Sequence, residues 1–238
     1  MKILAIDTST HVMGVAAAEE DVLLGEYVTH FKKNHSLRLM PAIEQLLMEL
    51  AIKPYQLNAI VVAKGPGSYT GVRIGVTTAK SMAWALGIPV YGISSLAQLA
   101  MNGSFFQGYI SPFFDARRGQ VYTGLYQFEQ NQMNAVYEDR IIPLDEWLEM
   151  LKVKHTPVLF LSSQLSTHQE KIQKELGDLA VFPPMSLHIP KPSSLFTLLN
   201  DKKRHPSGNV HALVPSYAQL PEAEKNWLRV QKEGKPHE

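Results

Sequence analysis

Residues 1–29 of the chain read MKILAIDTST HVMGVAAAEE DVLLGEYVT. An apolar run over 2–6 ends at Asp7, and the polar turn Thr8-Ser9-Thr10-His11 leads into a second run over 12–18. Glu19, Glu20 and Asp21 turn the chain again before a third run over 22–29. Short apolar segments punctuated by turn residues predict three successive strands. Asp7 interrupts the first run early, so 2–6 reads as a strand and not as a signal peptide.

Beyond these strands a helix fits 36–51, with Ser36 as its cap and Pro41 in or near the first turn, where a missing N–H matters least. A strand at 59–64, a glycine-rich loop at 65–71, a helix at 72–86 and a strand at 90–93 follow. The next helix opens at Ser95-Leu-Ala-Gln98, which has the pattern of a capping box. The order then recurs: strands at 109–114, 120–128 and 134–142, a helix at 145–151, a strand at 158–161 and a helix at 167–176. Each half reads βββαβα, and each ends its first strand on an aspartate, in AID at 5–7 and FFD at 113–115. A duplicated α/β unit is expected, with an N-terminal lobe over 1–104 and a C-terminal lobe over 105–205. A short helix at 193–200 closes the second lobe. The extension at 206–238 is expected to pack back through 215–220, with a frayed end.

Composition narrows the function classes. The 238 residues are 45% hydrophobic and 19% charged, an ordinary globular balance. There is no cysteine, which removes disulfides, Cys-based zinc sites and thiol catalysis together. No stretch approaches the ~18–20 apolar residues of a membrane span, so a cytoplasmic protein with no membrane association is expected. With 23 basic and 22 acidic residues the net charge is +1. Phosphate neutralisation supplies most of the affinity of a chain that binds nucleic acid alone. Any RNA contact here is therefore expected to be local or shared with another protein.

The loop Gly65-Pro-Gly-Ser-Tyr-Thr-Gly71 joins a strand to a helix, where amide groups and the helix dipole can hold a phosphate. It lacks the Lys-Ser/Thr of a P-loop, and glycines at 65, 67 and 71 are spaced too widely for a GxGxxG fingerprint. Pro66 and Thr70 stand where a GxSxG nucleophile elbow around Ser68 needs glycines. A phosphate cradle and a plain tight turn both remain open.

In the helix after this loop, Gly71, Gly75, Ala79 and Ala83 recur every four residues on one face. Each helical glycine costs about 1 kcal/mol relative to alanine, so a close approach is expected there, onto the chain's own sheet or onto a partner helix. The preceding helix favours the partner. Its Leu37, Leu39, Met40, Ala42, Ile43, Leu46, Leu47, Met48, Leu50 and Ala51 exceed the ~100° arc that a surface helix needs. The expected docking residues are Leu39, Ile43, Leu46, Leu47, Gly71, Gly75, Ala79, Met82 and Ala83. On that reading Gly75→Leu or Ala79→Arg disrupts pairing and leaves the fold intact.

Asp7, Thr8 and Ser9 form a strand-end acid beside a hydroxyl-rich turn, and Asp115 with Arg118 and its neighbour Arg117 stands opposite. These are the candidate nucleotide-binding residues, against the simpler reading that Asp and Ser cap their own turns. The nine histidines, at 11, 30, 35, 155, 168, 188, 205, 211 and 237, include no i,i+3 or i,i+4 pair, so no helix presents two imidazoles to one ion and no metal is expected.

MKILAIDTST (1–10), His35-Ser-Leu-Arg-Leu-Met-Pro41, GPGSYTGVRIGVTTAKSMA (65–83), IPVYGISSL (88–96), DARRGQVY (115–122) and PSYAQLPEAE (215–224) together resemble the bacterial TsaB (YeaZ) family. The likeness is densest over the first ~125 residues. It implies an actin-like ASKHA fold (sugar kinase/Hsp70/actin) and a non-catalytic part in threonylcarbamoylation of adenosine at tRNA position 37, in tRNAs reading codons that begin with A. In that family a TsaC-type enzyme makes threonylcarbamoyl-AMP and TsaD transfers the group, with TsaB as heterodimer partner and TsaE as associated ATPase. The resemblance thus implies tRNA contact through the complex, ATP or ADP only within it, no cofactor of its own, and pairing through the two N-terminal-lobe helices. A homodimer is expected when the partner is away. TsaD-type proteins carry an HxxxH metal motif on the first long helix, and the matching stretch here is His35-x-x-x-Leu39. The alternatives are a nucleotide-binding ATPase using Asp7 and Asp115, and a glycoprotease-like hydrolase. The second lacks the histidine pair, a cysteine and a serine elbow.

Overall fold

Strands β1 (Lys2–Asp7), β2 (Met13–Glu19) and β3 (Val22–Thr29) form an antiparallel meander at one side of the first sheet. The computed structural model describes residues 1–31, 34–130, 132–201 and 210–216. Helix α1 (His35–Glu49) returns the chain to β4 (Ala59–Ala63), which pairs parallel with β1, and α2 (Tyr69–Leu86) leads to β5 (Val90–Ile93), parallel to β4. Helix α3 (Ser95–Ala100) leaves this unit. The second unit repeats the plan with β6 (Tyr109–Asp115), β7 (Gln120–Glu129), β8 (Gln132–Pro143), α4 (Leu144–Lys152), β9 (Val158–Leu161), α5 (Gln169–Leu176), β10 (Ala180–Val181) and α6 (Ser194–Asp201). The sheet orders, β3-β2-β1-β4-β5 and β8-β7-β6-β9-β10, correspond element for element. Each unit runs βββαβαβα, the expected βββαβα extended by one strand and one helix, in the duplicated arrangement of an actin-like fold.

The layers follow from which faces are apolar. Strands β1 and β4 are buried on both faces, as strands covered by helices on each side must be. Leu4, Ile6, Val15, Ile60 and Val62 point toward α1 and α2. Ile3, Ala5, Ala16, Ala59 and Val61 point the other way, into a core shared with Ile110, Phe114, Leu159 and Leu161 of the second sheet. Helices α3 and α6 fill that shared core, and every residue of α3 is buried. Helix α3 lies on β6 and β7, and α6 on β4 and β5. The division at residue 104 therefore follows the chain but not the packing, because each lobe's last helix sits against the other lobe. Helices α4 and α5 cover the outer face of the second sheet around Trp147 and Phe160.

Several local expectations shift. The cap of α1 is Asn34, whose side chain accepts from the Ser36 amide, so Pro41 lies in the second turn. Ser94, not Ser95, caps α3 by accepting from the Ala97 amide. Residues 210–216 lie against the first lobe: Lys80 donates to the Leu213 carbonyl at 2.7 Å, and the Ser216 amide donates to the Lys64 carbonyl at 2.7 Å. The remainder of the segment expected to pack back, 217–220, lies outside the described residues. Among the described residues no helix is long and apolar enough to cross a membrane.

Candidate functional site between the lobes

A cleft of about 910 Å³ opens where the ends of β1 and β6 approach each other. The β1–β2 turn contributes Ser9, Thr10 and His11, and the start of α1 contributes Asn34 and His35. The glycine-rich loop supplies residues 67–71, and the second lobe supplies Asp115, Arg117, Tyr122 and Gln164. Both strand-end aspartates thus fall at the interlobe end of their sheets, but only one reaches the cleft.

Asp7 does not line it. It is 1% exposed, and its Oδ1 accepts from the Ser9 amide at 2.8 Å and the Ser9 hydroxyl at 2.7 Å. Burial raises its carboxyl above the usual range, opposed by those two hydrogen bonds. Thr8 is also buried and donates through Oγ1 to the Gly71 carbonyl at 2.7 Å. Of the first-lobe candidates only Ser9 borders the cleft. In the second lobe Asp115 borders it, held by His168 Nε2 at 3.1 Å, while its amide donates to Gln164 Oε1 at 3.3 Å. Arg117, not Arg118, lines the wall.

The glycine-rich loop is committed internally. The Ser68 amide donates to the Ser9 carbonyl at 2.7 Å, the Gly71 amide to Ser68 Oγ, and the Gly65 amide to Ser95 Oγ. A β-carbon on Gly71 would stand 2.2 Å from the Thr8 carbonyl oxygen. The loop is therefore pressed onto the β1–β2 turn. Between a phosphate cradle and a tight turn, the tight turn describes what these amides do.

The small-residue stripe explains itself in the same way. Gly75, Ala79 and Ala83 are buried against β1 and β4, with Ala79 and Ala83 at 0% exposure. Leu39, Ile43, Leu46 and Leu47 are likewise buried in the same core, and Met82 packs at its edge. The expectation that these side chains face a partner is corrected: they face the chain's own sheet. Burying a leucine or isoleucine contributes about 1.5–3 kcal/mol, and the monomer already makes that gain. Gly75→Leu and Ala79→Arg would accordingly break the fold itself. The outward large apolar residues of α1 are Leu37, Met40 and Met48, and Trp84 of α2 is 71% exposed.

His35 occupies the start of α1, as the resemblance to an HxxxH helix requires, but it is 8% exposed and engaged. Its Nε2 lies 2.8 Å from the Thr10 carbonyl, which can only accept, so this nitrogen donates. Leu39, four residues on, is a core residue at 1% exposure.

Over residues 24–227 the sequence matches the family model described as TsaD, tRNA N6-adenosine threonylcarbamoyltransferase. It is 51% identical over 232 residues to the tRNA threonylcarbamoyladenosine biosynthesis protein TsaB of Bacillus subtilis (strain 168), taking in 98% of this chain and 100% of that one. The chain belongs to the TsaB family. The TsaB of Escherichia coli (strain K12) is 34% identical over 136 residues, or 55% of this chain and 57% of that protein. The solved structure of YeaZ from Pseudomonas aeruginosa superimposes with a TM-score of 0.74 at 26% identity, covering 91% of this chain and 99% of that one. That superposition runs through both lobes of the fold.

Sequence reasoning did not place His11, Asn34, Tyr122 or Gln164 at the site. Each comes from a different turn or strand end, and no spacing along the chain announces that the second lobe's β7 and the loop after β9 face the β1–β2 turn.

Proposed function

We propose that the chain is a scaffold or activator subunit, without catalytic residues of its own, for threonylcarbamoylation of adenosine at tRNA position 37. It acts in the cytoplasm with a TsaD-type transferase as heterodimer partner and a TsaE-type ATPase, and meets tRNA through that complex. The observation that carries this reading is the near full-length likeness to the TsaB of Bacillus subtilis. Three features of the site support the accessory role. His35 spends its Nε2 hydrogen on Thr10, a core leucine follows where a second imidazole would sit, and Asp7 is sealed beneath Ser9. ATP or ADP then belongs to the assembled complex.

Pairing is assigned to the outward faces of α1 and α2, with the TsaD-type subunit as occupant and a second copy of this chain taking its place in isolation. Support comes from the exposed Leu37, Met40, Met48 and Trp84 and from a shallow groove of about 500 Å³ along Pro41, Glu44, Gln45 and Met48. Large apolar side chains left exposed on two helices that pack together support an interaction surface there.

The test is reconstitution of the tRNA modification from purified subunits with wild-type chain, with Met48→Asp/Trp84→Asp, and without the chain. The double variant should keep the wild-type melting temperature, lose co-elution with the transferase, and lower the rate to that of the mixture lacking the chain. An unchanged rate without the chain overturns the accessory role. Unchanged co-elution of the variant overturns the surface.

A further inference from the structure

His11 lies in the turn between β1 and β2, and His30 directly follows β3. Strands β2 and β3 pair antiparallel with Met13 opposite Thr29, so the backbone holds the two imidazoles side by side. Their Nε2 atoms are 2.5 Å apart, with ring centroids 4.5 Å apart and planes inclined by 38°. Two ring nitrogens at this separation cannot both carry a hydrogen. At least one presents its lone pair to the other, so the two Nε2 atoms face each other across one short gap.

We propose that His11 and His30 chelate a divalent transition-metal ion at the mouth of the interlobe cleft. Imidazole nitrogen suits zinc, nickel and copper rather than magnesium or calcium. With metal–nitrogen bonds of about 2.0–2.1 Å and a tetrahedral angle, the two nitrogens stand about 3.3–3.4 Å apart. The pair reaches that spacing by separating less than about 1 Å, a small rotation for rings that meet at the surface. Among the described residues no group of three or more His, Asp or Glu side chains is placed to hold an ion. The remaining coordination positions therefore go to water or to an oxygen donor in the cleft, which His11 lines. The ion ties the β1–β2 turn to the end of β3. Because the carbonyl of Thr10 in that turn receives the His35 hydrogen bond, the tie also steadies the start of α1.

The experiment uses the full chain freed of metal. Zinc and nickel are titrated by calorimetry, and copper(II) is added for electron paramagnetic resonance. One ion per chain, a melting temperature that rises with zinc, and copper hyperfine structure from two nitrogens are expected. His11→Asn and His30→Asn should each weaken zinc binding at least tenfold, since either loss breaks the chelate. Both side chains meet at the surface, so both variants should melt like the metal-free wild type. Binding unchanged in either variant, a copper signal from one nitrogen, or no binding by the wild type overturns the site.

Discussion

Substituting alanine for Gly75 should destabilise the protein, although helix propensity alone predicts the opposite. Replacing a helical glycine by alanine gains about 1 kcal/mol. Against that, the new β-carbon would lie 2.5 Å from Thr8 Oγ1 and 3.6 Å from Val62 Cγ2. The first contact is about 1 Å inside an ordinary van der Waals separation. Thr8 has a short branched side chain, is 1% exposed, and holds the Gly71 carbonyl at 2.7 Å. Turning its hydroxyl away abandons a buried hydrogen bond, at about 1–3 kcal/mol. Lifting α2 off the sheet costs about 1–3 kcal/mol as overpacking. Sharing the strain between the two and subtracting the propensity gain leaves a loss of up to about 2 kcal/mol. For a chain of this size that is a fall of up to about 8 °C in melting temperature. Thermal and urea unfolding of the isolated chain read it directly, and a cycle with Thr8→Ala assigns it. Without the Thr8 hydroxyl the cost of Gly75→Ala should shrink by about 0.5–3 kcal/mol, the coupling expected of touching groups. A Gly75→Ala variant at or above wild-type stability refutes the reasoning, as does a cost that persists unchanged in the Thr8→Ala background.

Two further outcomes concern buried titratable groups. Burial raises the Asp7 carboxyl above its ordinary 3.8, so its contribution to stability is greatest below that pH and is lost as pH rises through the raised value. Asp7→Asn keeps an acceptor for the Ser9 amide and hydroxyl, and should raise the melting temperature at pH 7 by a margin that shrinks toward pH 4; a lower melting temperature at pH 7 contradicts this. Tyr126, which donates to Asp139, is held well above its ordinary value of 10 by burial and by the Asp139 charge, so its contribution is complete below pH 10 and is lost as pH rises from there through the raised value. Tyr126→Phe should cost about 1.5–3 kcal/mol at pH 8, and differential scanning calorimetry should find the gap to wild type changing above pH 10; a gap independent of pH contradicts the assignment.

The two sheets were legible because their strands are short, apolar and bounded by polar turns, and because the order repeats. Residues 22–29, 90–93 and 158–161 emerge as strands with the expected bounds. Strand β10, only Ala180–Val181, was not, since two residues carry no periodicity. Nor was the exchange of α3 and α6 between lobes. Helix α3 is buried throughout, Ser95 and Gln98 included, so its polar residues mark no solvent face from which to read the sheet it covers.

The stripe on α2 marks the limit of pattern reading. Glycine and alanine every four residues report that something comes close, and they report it identically whether the neighbour is a partner helix or the chain's own turn. What decides is the excursion of Thr8 over the end of β1, a tertiary fact fixed by Asp7 and Ser9 closing that turn. The apolar surplus on α1 divides by the same logic. Leu39, Ile43, Leu46 and Leu47 descend into the core, while Leu37, Met40 and Met48 stay at the surface. A docking assignment drawn from apolar residues as a set therefore selects the inner ones, which have the stronger periodicity, when only the outer ones can touch another protein. The histidines carry the converse lesson: a helical spacing test rejects every pair, yet His11 and His30, 19 residues apart, meet because β2 and β3 form a hairpin. Cross-strand neighbours are set by register and not by a fixed interval, so such a pair becomes visible only once Met13 is known to stand opposite Thr29.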